Sequence, residues 1–276
     1  MSKSPEEEDL LVRGTADHYE DAPLYDFEYH DRTADIAWYR ALALDLGPAR
    51  RILELGAGTG RITLPLLADG HRVSALDRMR PMLDHLEAKV APGDRARLQV
   101  VVGDMTAPPL ADASFELVIA PFNALQHLYT HDDLLACFRE ARRVLVPGGT
   151  FAFDVLLPDL EWLTWDPNER HSVTPFTHPT TGESMVYSTN HSYDHHTQVC
   201  HVRIYYDDAP RRPRAFKPPP KPRRLVHLAH RQIFPEEIRA LLRAAGLELV
   251  DLSGDFRGVR LRTGVQSQVV RARRPG

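Results

Sequence analysis

The chain has 276 residues, 43% of them hydrophobic and 26% charged, which is ordinary for a folded protein large enough to bury a core. Its formal net charge of -4 excludes a generally basic protein attracted to nucleic acid or anionic membranes. No stretch approaches the ~20 apolar residues of a membrane helix, the first residues lack the apolar core of a signal peptide, and two cysteines are too few for a disulfide framework. We therefore expect a cytoplasmic protein.

The first part of the chain is acidic and then aromatic. Residues 1–14 are predicted to be a disordered acidic lead, and an aromatic and acidic segment follows from Asp17 to Asp31. A helix is predicted from about Thr33 to Leu46, where Gly47-Pro48 ends it. This N-terminal segment either packs on the edge of a domain or covers a binding site as a lid, and both can hold.

A strand, a tight glycine turn and a helix start meet in the stretch Glu54–Gly60. Its three alternating glycines let the backbone pass close to a ligand. A dinucleotide fingerprint, G-x-G-x-x-G, would have its third glycine where this chain has Arg61. Glu54 is awkward beside a pyrophosphate, but it suits a ligand that carries an ammonium group.

A second binding signal ends the next predicted strand, His71 to Asp77. Asp77 follows the glycine loop by nearly the ~20 residues at which such folds place an acid that binds ribose hydroxyls. The plainer interpretation of Asp77 is an acid at a helix N-terminus. A helix from Pro81 to Lys89 and a strand from Leu98 to Val102 follow, and that strand leads into Gly103-Asp104-Met105.

The alternation of strands and helices continues to residue 155. A fourth strand, Phe115–Ala120, is followed by a loop at the edge where open α/β sheets bind ligands. A helix from Asp132 to Leu145 ends at Pro147-Gly148-Gly149, and a fifth strand covers Thr150–Val155. This order predicts an α/β fold with a doubly wound parallel sheet.

The composition then changes, and residues 157–232 contain no strong helical pattern. The predicted strands of this insertion are Ser184–His191, Gln198–Tyr206 and Arg224–Gln232. We interpret it as a small antiparallel sheet with a projecting loop, residues 207–224, that is rich in proline and arginine. A helix from Phe234 to Ala245 and strands at Leu247–Leu252 and Gly258–Val270 are predicted to close the chain.

The motif E-L-G-A-G-T-G at Glu54–Gly60 matches E/D-x-G-x-G-x-G at every defined position. In this the chain resembles the Rossmann-like (class I) S-adenosylmethionine-dependent methyltransferases. The run Arg143–Gly149 resembles their L-K-P-G-G turn. The resemblance implies S-adenosyl-L-methionine as cofactor and a seven-stranded, doubly wound Rossmann-like sheet with a small antiparallel β-sheet inserted after the fifth strand.

Two further stretches resemble small-molecule N-methyltransferases, such as glycine N-methyltransferase and the aminosugar N,N-dimethyltransferases. Asn123-x-x-x-His127-Leu128 is similar to their loop after the fourth strand, whose polar side chains line the substrate or cofactor. Arg32-Thr33-Ala34 resembles the R-T-A segment of glycine N-methyltransferase, in which the arginine holds the cofactor's carboxylate. The resemblance implies that role for Arg32 and a pocket role for Tyr25.

These arguments give a set of predicted site residues. The predicted cofactor-binding residues are Tyr25, Arg32, Glu54, Gly56, Ala57, Gly58, Gly60, Asp77, Arg78, Gly103, Asp104, Met105 and Pro121. Asp77 is assigned to the ribose, and Asp104 with the Met105 backbone to the adenine. Asn123 and His127 are predicted to line the substrate pocket, with His127 as a base or a substrate-positioning group. We predict no metal site, because the insertion's histidines lack a well-spaced zinc-ligand set.

The predicted domains are an N-terminal lid segment and helix (1–48), a cofactor-binding core (49–156), a β insertion over the substrate (157–232) and a C-terminal part completing the core (233–276). The predicted reaction is in-line methyl transfer to a small molecule, an amine being favoured over a hydroxyl. The alternatives are an O-methyltransferase, an RNA or protein methyltransferase, a nicotinamide oxidoreductase and a non-catalytic binding module. The basic loop lacks the interleaved aromatics of a single-strand reader, which argues against nucleic acid. The oligomeric state is left open, with a homodimer as one option.

Overall fold

The structure, a computed structural model, describes residues 5–209, 218–219 and 221–276. The chain divides into two compact units. The first unit takes the described residues of 1–29 and 159–231, and the second takes 30–158 with the described residues of 232–276. The N-terminal segment predicted as one piece, 1–48, is therefore shared between the two units.

The helices and strands of the described residues are as follows. The helices are α1 (Pro5–Gly14), α2 (Ala22–Glu28), α3 (Ala34–Asp45), α4 (Thr63–Ala68), α5 (Arg80–Lys89), α6 (His131–Val144) and α7 (Pro235–Ala244). The strands are β1 (Arg51–Leu55), β2 (Arg72–Asp77), β3 (Leu98–Val102), β4 (Phe115–Ala120), β5 (Leu145–Leu156), β6 (His171–Thr177), β7 (Ser184–Asp194), β8 (Val199–Asp208), β9 (Arg224–Arg231), β10 (Glu248–Ser253) and β11 (Ser267–Arg273). None of the described helices is long and apolar enough to cross a membrane.

The second unit is built on a seven-stranded sheet in the order β10-β11-β5-β4-β1-β2-β3. The five strands from β1 to β5 pair in parallel, whereas β11 runs antiparallel to both β5 and β10. The strand order reverses beside β1, so the carboxyl ends of β1 and β4 flank the crevice where open α/β sheets bind ligands. The predicted doubly wound, Rossmann-like sheet with an antiparallel end is confirmed.

Alternate residues of each central strand pack into two apolar layers. Leu53 and Val118 pack with the α6 residues Leu134 and Phe138 on one face, while Ile52 packs with residues of α3, α4 and α5 on the other. Nearly all side chains of these strands are buried, as expected for parallel strands that are covered on both faces of the sheet. Each such side chain contributes about 1.5–3 kcal/mol when fully buried. These layers fix the strand ends on which the candidate site is built.

The first unit contains a four-stranded antiparallel sheet in the order β6-β7-β8-β9. Its apolar cluster includes Leu24 of α2 and Met185, Tyr206 and Val226 of the sheet. The inserted antiparallel sheet is confirmed, although the sequence showed only three of its strands. β6 was missed because it is largely exposed and holds a proline, so it lacks the alternation of a half-buried strand.

Two local predictions were wrong. The predicted disordered lead contains a helix, α1, at Pro5–Gly14, and Gly14 lies so close to β9 that a Cβ there would be 2.5 Å from the Ala229 Cβ. The last strand begins at Ser267 rather than at Gly258, because Gly258 and Gly264 take positive φ angles that turn the chain.

Part of the basic loop, including Arg211, Arg212, Arg214 and Lys217, lies outside the described residues. Arg223, within the described part, pairs with Glu183 at 2.7 Å and with Asp208 at 3.0 Å.

Candidate functional site

The glycine loop joins β1 to α4 and passes close to two neighbouring elements. A Cβ at Gly56 would lie 2.9 Å from the Ala124 Cβ, and a Cβ at Gly60 would lie 2.2 Å from Leu86 Cδ1. Both glycines also have positive φ angles, 73° and 84°. Only glycine meets both conditions without strain, so the loop is shaped by its packing as well as by its turn.

Glu54 lies at the end of β1 and is 1% exposed. Thr63 Oγ1 donates a hydrogen bond to its Oε2. Burial raises the pKa of Glu54 to about 8, against the lowering effects of the Thr63 hydrogen bond and the nearby Arg61 guanidinium. Glu54 therefore keeps its proton near neutral pH, and a positively charged ligand would favour its ionised form.

Asp77 ends β2, the strand next to β1, and its carboxylate is tied to the backbone. Its Oδ2 accepts from Gly58 N at 2.8 Å, and its Oδ1 accepts from Met79 N at 2.8 Å. Burial raises the pKa of Asp77, while these backbone donors oppose the rise. Asp77 therefore anchors the glycine loop and the backbone that leads into α5. A carboxylate has about four acceptor positions, so these hydrogen bonds leave capacity for a ligand hydroxyl.

Arg61, at the position of the third glycine in a dinucleotide fingerprint, links the glycine loop to α3. Its Nη1 lies 2.8 Å from Asp35 Oδ1 and 2.9 Å from the Arg32 carbonyl oxygen, and its Nη2 pairs with Asp35 Oδ2. The guanidinium also lies 4.7 Å from the centroid of the Phe122 ring, and that of Arg32 lies 4.9 Å from it. Asp35 and Phe122 were not predicted, since their partners are distant in sequence.

The loop after β4 takes an unusual backbone conformation. Phe122 and Asn123 have φ angles of 53° and 64°, both left-handed. A short 3-10 helix, Ala124–His127, follows them. Asn123 is buried and His127 is partly buried at the end of this helix.

Asp154 near the end of β5 holds this turn. Its Oδ1 accepts from Phe122 N at 2.9 Å and from the Tyr39 hydroxyl at 2.7 Å, and its backbone oxygen accepts from Asn123 N at 3.1 Å. Burial raises the pKa of Asp154 to about 6, although the Tyr39 and Phe122 donors lower it. No local motif marks Asp154 or Tyr39 in the sequence, so the prediction missed both.

The turn after β3 lies beside the glycine loop. Gly103 N donates to the Asp77 carbonyl oxygen at 3.0 Å. A Cβ at Gly56 would lie 3.9 Å from Met105 Cε, so the Met105 side chain approaches the loop. Asp104 is exposed, and its Oδ1 accepts from the Thr106 backbone N at 2.8 Å.

Of the remaining predicted residues, Ala57 and Pro121 are buried in the second unit and Arg78 is exposed. Tyr25 belongs to the first unit, where its ring centroid lies 4.7 Å from that of Tyr29 and 5.7 Å from that of His18. A role for Tyr25 toward the cofactor stays a prediction.

The histidines of the insertion take part in side-chain packing. His191 stacks on Trp162 with 3.8 Å between ring centroids, and its Nε2 lies 2.8 Å from the Trp162 carbonyl oxygen. The residues that the structure describes include no group of three or more histidine, cysteine, aspartate or glutamate side chains arranged to hold a metal ion.

The second unit thus brings four buried or largely buried carboxylates, Asp35, Glu54, Asp77 and Asp154, to the ends of its parallel strands and the start of α3. Arg61 neutralises Asp35 directly. Acids in such surroundings suit S-adenosylmethionine, whose cationic sulfonium and ammonium groups would favour their ionised forms, better than an anionic pyrophosphate.

Comparison with known proteins agrees with this geometry. Residues 52–149 match the family described as "Methyltransferase domain". The chain is 38% identical over 110 residues to a malonyl-[acyl-carrier protein] O-methyltransferase of Erwinia pyrifoliae, which is 40% of this chain and 38% of that protein. It is 34% identical over 116 residues to a demethylmenaquinone methyltransferase of Chlamydia trachomatis, which is 41% of this chain and 48% of that protein. The chain spans less than half the length of each of these two curated relatives.

Solved structures resemble the chain over a greater length. The CcbJ methyltransferase from Streptomyces caelestis matches with a TM-score of 0.69 and 27% identity, over 88% of this chain and 90% of that one. The sugar N-methyltransferase KedS8 from Streptoalloteichus has the same fold, with a TM-score of 0.65 and 19% identity, over 91% of this chain and 93% of that one.

The glycine loop, the two acidic strand ends and the strand order agree with the Rossmann-like fold of these methyltransferase structures. Residues 52–149, less than half of the chain, match a methyltransferase domain.

Proposed function

We propose that this protein is an S-adenosylmethionine-dependent methyltransferase that acts on a small-molecule acceptor. The observation that carries the proposal is the pair of acids, Glu54 and Asp77, at the carboxyl ends of adjacent parallel strands beside the glycine loop. Glu54 would then meet a cationic group and Asp77 a hydroxyl, on either side of a backbone turn that accepts close approach of a ligand.

The residues of the second unit that would hold the cofactor have distinct roles. Glu54 would bind the ammonium group, Asp77 the ribose hydroxyls and Arg32 the carboxylate. Asp104 and the Met105 backbone would contact the adenine. Gly56, Ala57, Gly58 and Gly60 would form the turn beneath it, with Arg78 and Pro121 at its edges.

The chemistry places few demands on catalytic side chains. S-adenosylmethionine, when bound, supplies a methyl group on a sulfonium, which is a good leaving group. Alignment of two reactants is worth effective molarities of ~10⁵–10⁸ M, and a general base adds typically ~10²–10⁴-fold. His127 and Asn123, on the loop after β4, would position the acceptor. If the acceptor atom carries a proton that must leave, His127 would accept that proton. Positioning is therefore the main contribution of this chain.

An amine is the favoured acceptor, and a hydroxyl is the second candidate. The resemblance of the Asn123–His127 loop to small-molecule N-methyltransferases supports the amine. The 38% identity to a protein named as an O-methyltransferase supports an oxygen acceptor over the part of the chain that matches.

A cytoplasmic location fits the two cysteines, Cys137 and Cys200, which are free and buried. A fluorescent fusion that localises outside the cytoplasm would contradict it.

The proposed function is tested by methyl transfer from isotopically labelled S-adenosylmethionine to two matched panels, primary amines and alcohols on the same carbon skeletons. The expected result is label in amine products and stoichiometric S-adenosylhomocysteine. Label in the alcohols alone would replace the amine by a hydroxyl acceptor. Absence of S-adenosylmethionine binding, together with binding of NAD, would overturn the methyltransferase proposal itself.

A further inference from the structure

Two consecutive residues of the loop after β4 are held in a conformation that L-amino acids disfavour. Phe122 and Asn123 both have φ angles in the left-handed region. Asparagine tolerates that region, whereas an aromatic residue there is a true outlier. Such strain persists only where the surrounding structure over-determines it, and it is concentrated at functional sites.

Three hydrogen bonds to one residue supply that constraint. Asp154 accepts from Phe122 N through Oδ1 and from Asn123 N through its backbone oxygen, at 2.9 Å and 3.1 Å. The Tyr39 hydroxyl donates to the same Oδ1 at 2.7 Å and fixes the carboxylate's orientation. Asp154 and Tyr39 are 5% and 0% exposed, so water does not compete for these contacts.

The Phe122–Asn123 turn also contacts the residue that follows the glycine loop. With its backbone fixed, the Phe122 ring faces the guanidinium groups of Arg61 and Arg32 at 4.7 Å and 4.9 Å. Arg61 is held by Asp35 of α3 and follows Gly60 directly. A change in the Phe122 turn would therefore move the groups beside the cofactor-binding loop, including Arg32.

We propose that Asp154 is a positioning residue for cofactor binding, which fixes the Phe122–Asn123 turn and, through the Phe122 ring, the placement of Arg32 and Arg61. This inference rests on the proposed function. Asp154 acts through the turn and its backbone donors rather than by touching the reacting atoms. Its carboxylate accepts hydrogen bonds from the Phe122 backbone and from the buried Tyr39 hydroxyl, which is the arrangement of an anchor rather than of a base.

The test measures S-adenosylhomocysteine affinity by calorimetry and the thermal midpoint for the same variants. Asp154→Ala is expected to weaken binding about 10–100-fold, because Phe122 N and the Tyr39 hydroxyl lose their shared acceptor. Asp154→Asn keeps an accepting oxygen and is expected to stay within about 3-fold of the parent protein. Ser74→Ala is the matched control, since it removes the partly buried Ser74–Gln99 hydrogen bond between β2 and β3 and leaves the turn intact. It is expected to lower the thermal midpoint without changing affinity.

A second variant tests the same anchor without removing its carboxylate. If Asp154→Ala does not fold, Tyr39→Phe removes one donor from the same carboxylate and is expected to weaken binding by about 3–10-fold.

The outcomes distinguish the two proposals. Unchanged affinity in Asp154→Ala, or in Tyr39→Phe if that variant is used, would overturn the positioning role while the parent protein still binds S-adenosylhomocysteine. An affinity loss in Ser74→Ala equal to that in Asp154→Ala would also overturn it. Failure of the parent protein to bind S-adenosylmethionine and S-adenosylhomocysteine would instead overturn the proposed function.

Discussion

Glu54 is the residue whose chemistry depends most on its surroundings. Its pKa is about 8, raised from 4.5 mainly by burial. Because the folded state holds the proton more tightly than the unfolded state, Glu54 contributes stability at low pH that is lost as the pH rises through about 8. A cationic ligand binds the ionised carboxylate, so its affinity should rise with pH while the stability from Glu54 falls.

Glu54→Gln should therefore have opposite effects on stability and on cofactor affinity. Above about pH 8 we expect the variant's free energy of unfolding to exceed the parent's by roughly 1–3 kcal/mol, because no buried charge forms. We expect S-adenosylmethionine to bind about 10–100-fold more weakly. Urea unfolding and calorimetry measure the two quantities. A variant that loses stability and keeps its affinity would contradict this role for Glu54.

The same residue predicts a pH dependence of binding. In the parent protein, affinity should fall as the pH is lowered from about 8 to about 6.5, by up to about tenfold per pH unit, because Glu54 must lose its proton to bind a cation. Glu54→Gln should flatten this profile. An equally steep profile in the variant would assign the titration to another group.

Asp77 combines a structural and a ligand-binding role, which two substitutions separate. Asp77→Asn keeps one accepting oxygen but loses the charge, whereas Asp77→Ala loses both the Gly58 and the Met79 hydrogen bonds. We expect Asp77→Ala to be less stable than the parent by about 1–3 kcal/mol and Asp77→Asn to be less affected. Thermal unfolding gives these differences. Both variants should bind S-adenosylhomocysteine at least about tenfold more weakly, and unchanged affinity in both would refute the ribose assignment.

At the scale of elements, the glycine loop is constrained by its neighbours as much as by its own turn. Gly60 and Gly258 offer a matched comparison, because their φ angles are 84° and 79° but only Gly60 has a neighbour within reach of a Cβ. The difference between alanine substitutions at the two positions therefore reports packing at Gly60, mainly against Leu86.

We expect Gly258→Ala to lower the free energy of unfolding by about 1 kcal/mol, the cost of the left-handed conformation. Gly60→Ala should cost about 2–4 kcal/mol, because the new methyl group also displaces Leu86 on α5. Chemical denaturation of both variants checks the difference. Equal losses would mean that α5 adjusts without cost.

The elements with local signals were predictable from the sequence, and the contacts between them were not. Glycines and acids at fixed spacings marked β1, β2 and their loops, because turn chemistry and strand burial act over a few residues. The link from Tyr39 to Asp154 joins residues 115 positions apart, and nothing near either residue reveals it. Arg61 is a second example. Its position in the sequence argued against a dinucleotide fingerprint, but its pairing with Asp35 depends on how α3 packs and could not be predicted.

Across the whole molecule, the proposed cofactor residues other than Tyr25 belong to the second unit. The first unit has its own apolar cluster and its own buried network, in which Tyr206 donates to Glu28 at 2.6 Å.

A ligand that binds only the folded state stabilises the protein by mass action, by about 2.7 kcal/mol at 100 times its Kd.

Hydrogen exchange should therefore locate the cofactor's effect along the chain. With S-adenosylhomocysteine at 100 times its Kd, we expect amides of the glycine loop and of residues 77–79 to exchange more slowly, by up to about 100-fold. NAD at the same concentration serves as the control and should leave these amides unchanged. Protection that spares both stretches would contradict the placement of the cofactor.

The most direct test of the central claim is calorimetric titration of the parent protein with S-adenosylmethionine, S-adenosylhomocysteine and NAD in parallel. We predict one site per chain for each of the first two ligands and no heat of binding for NAD. Binding of NAD without binding of either adenosyl ligand would overturn the methyltransferase proposal, because the acids beside the glycine loop would then serve a different cofactor.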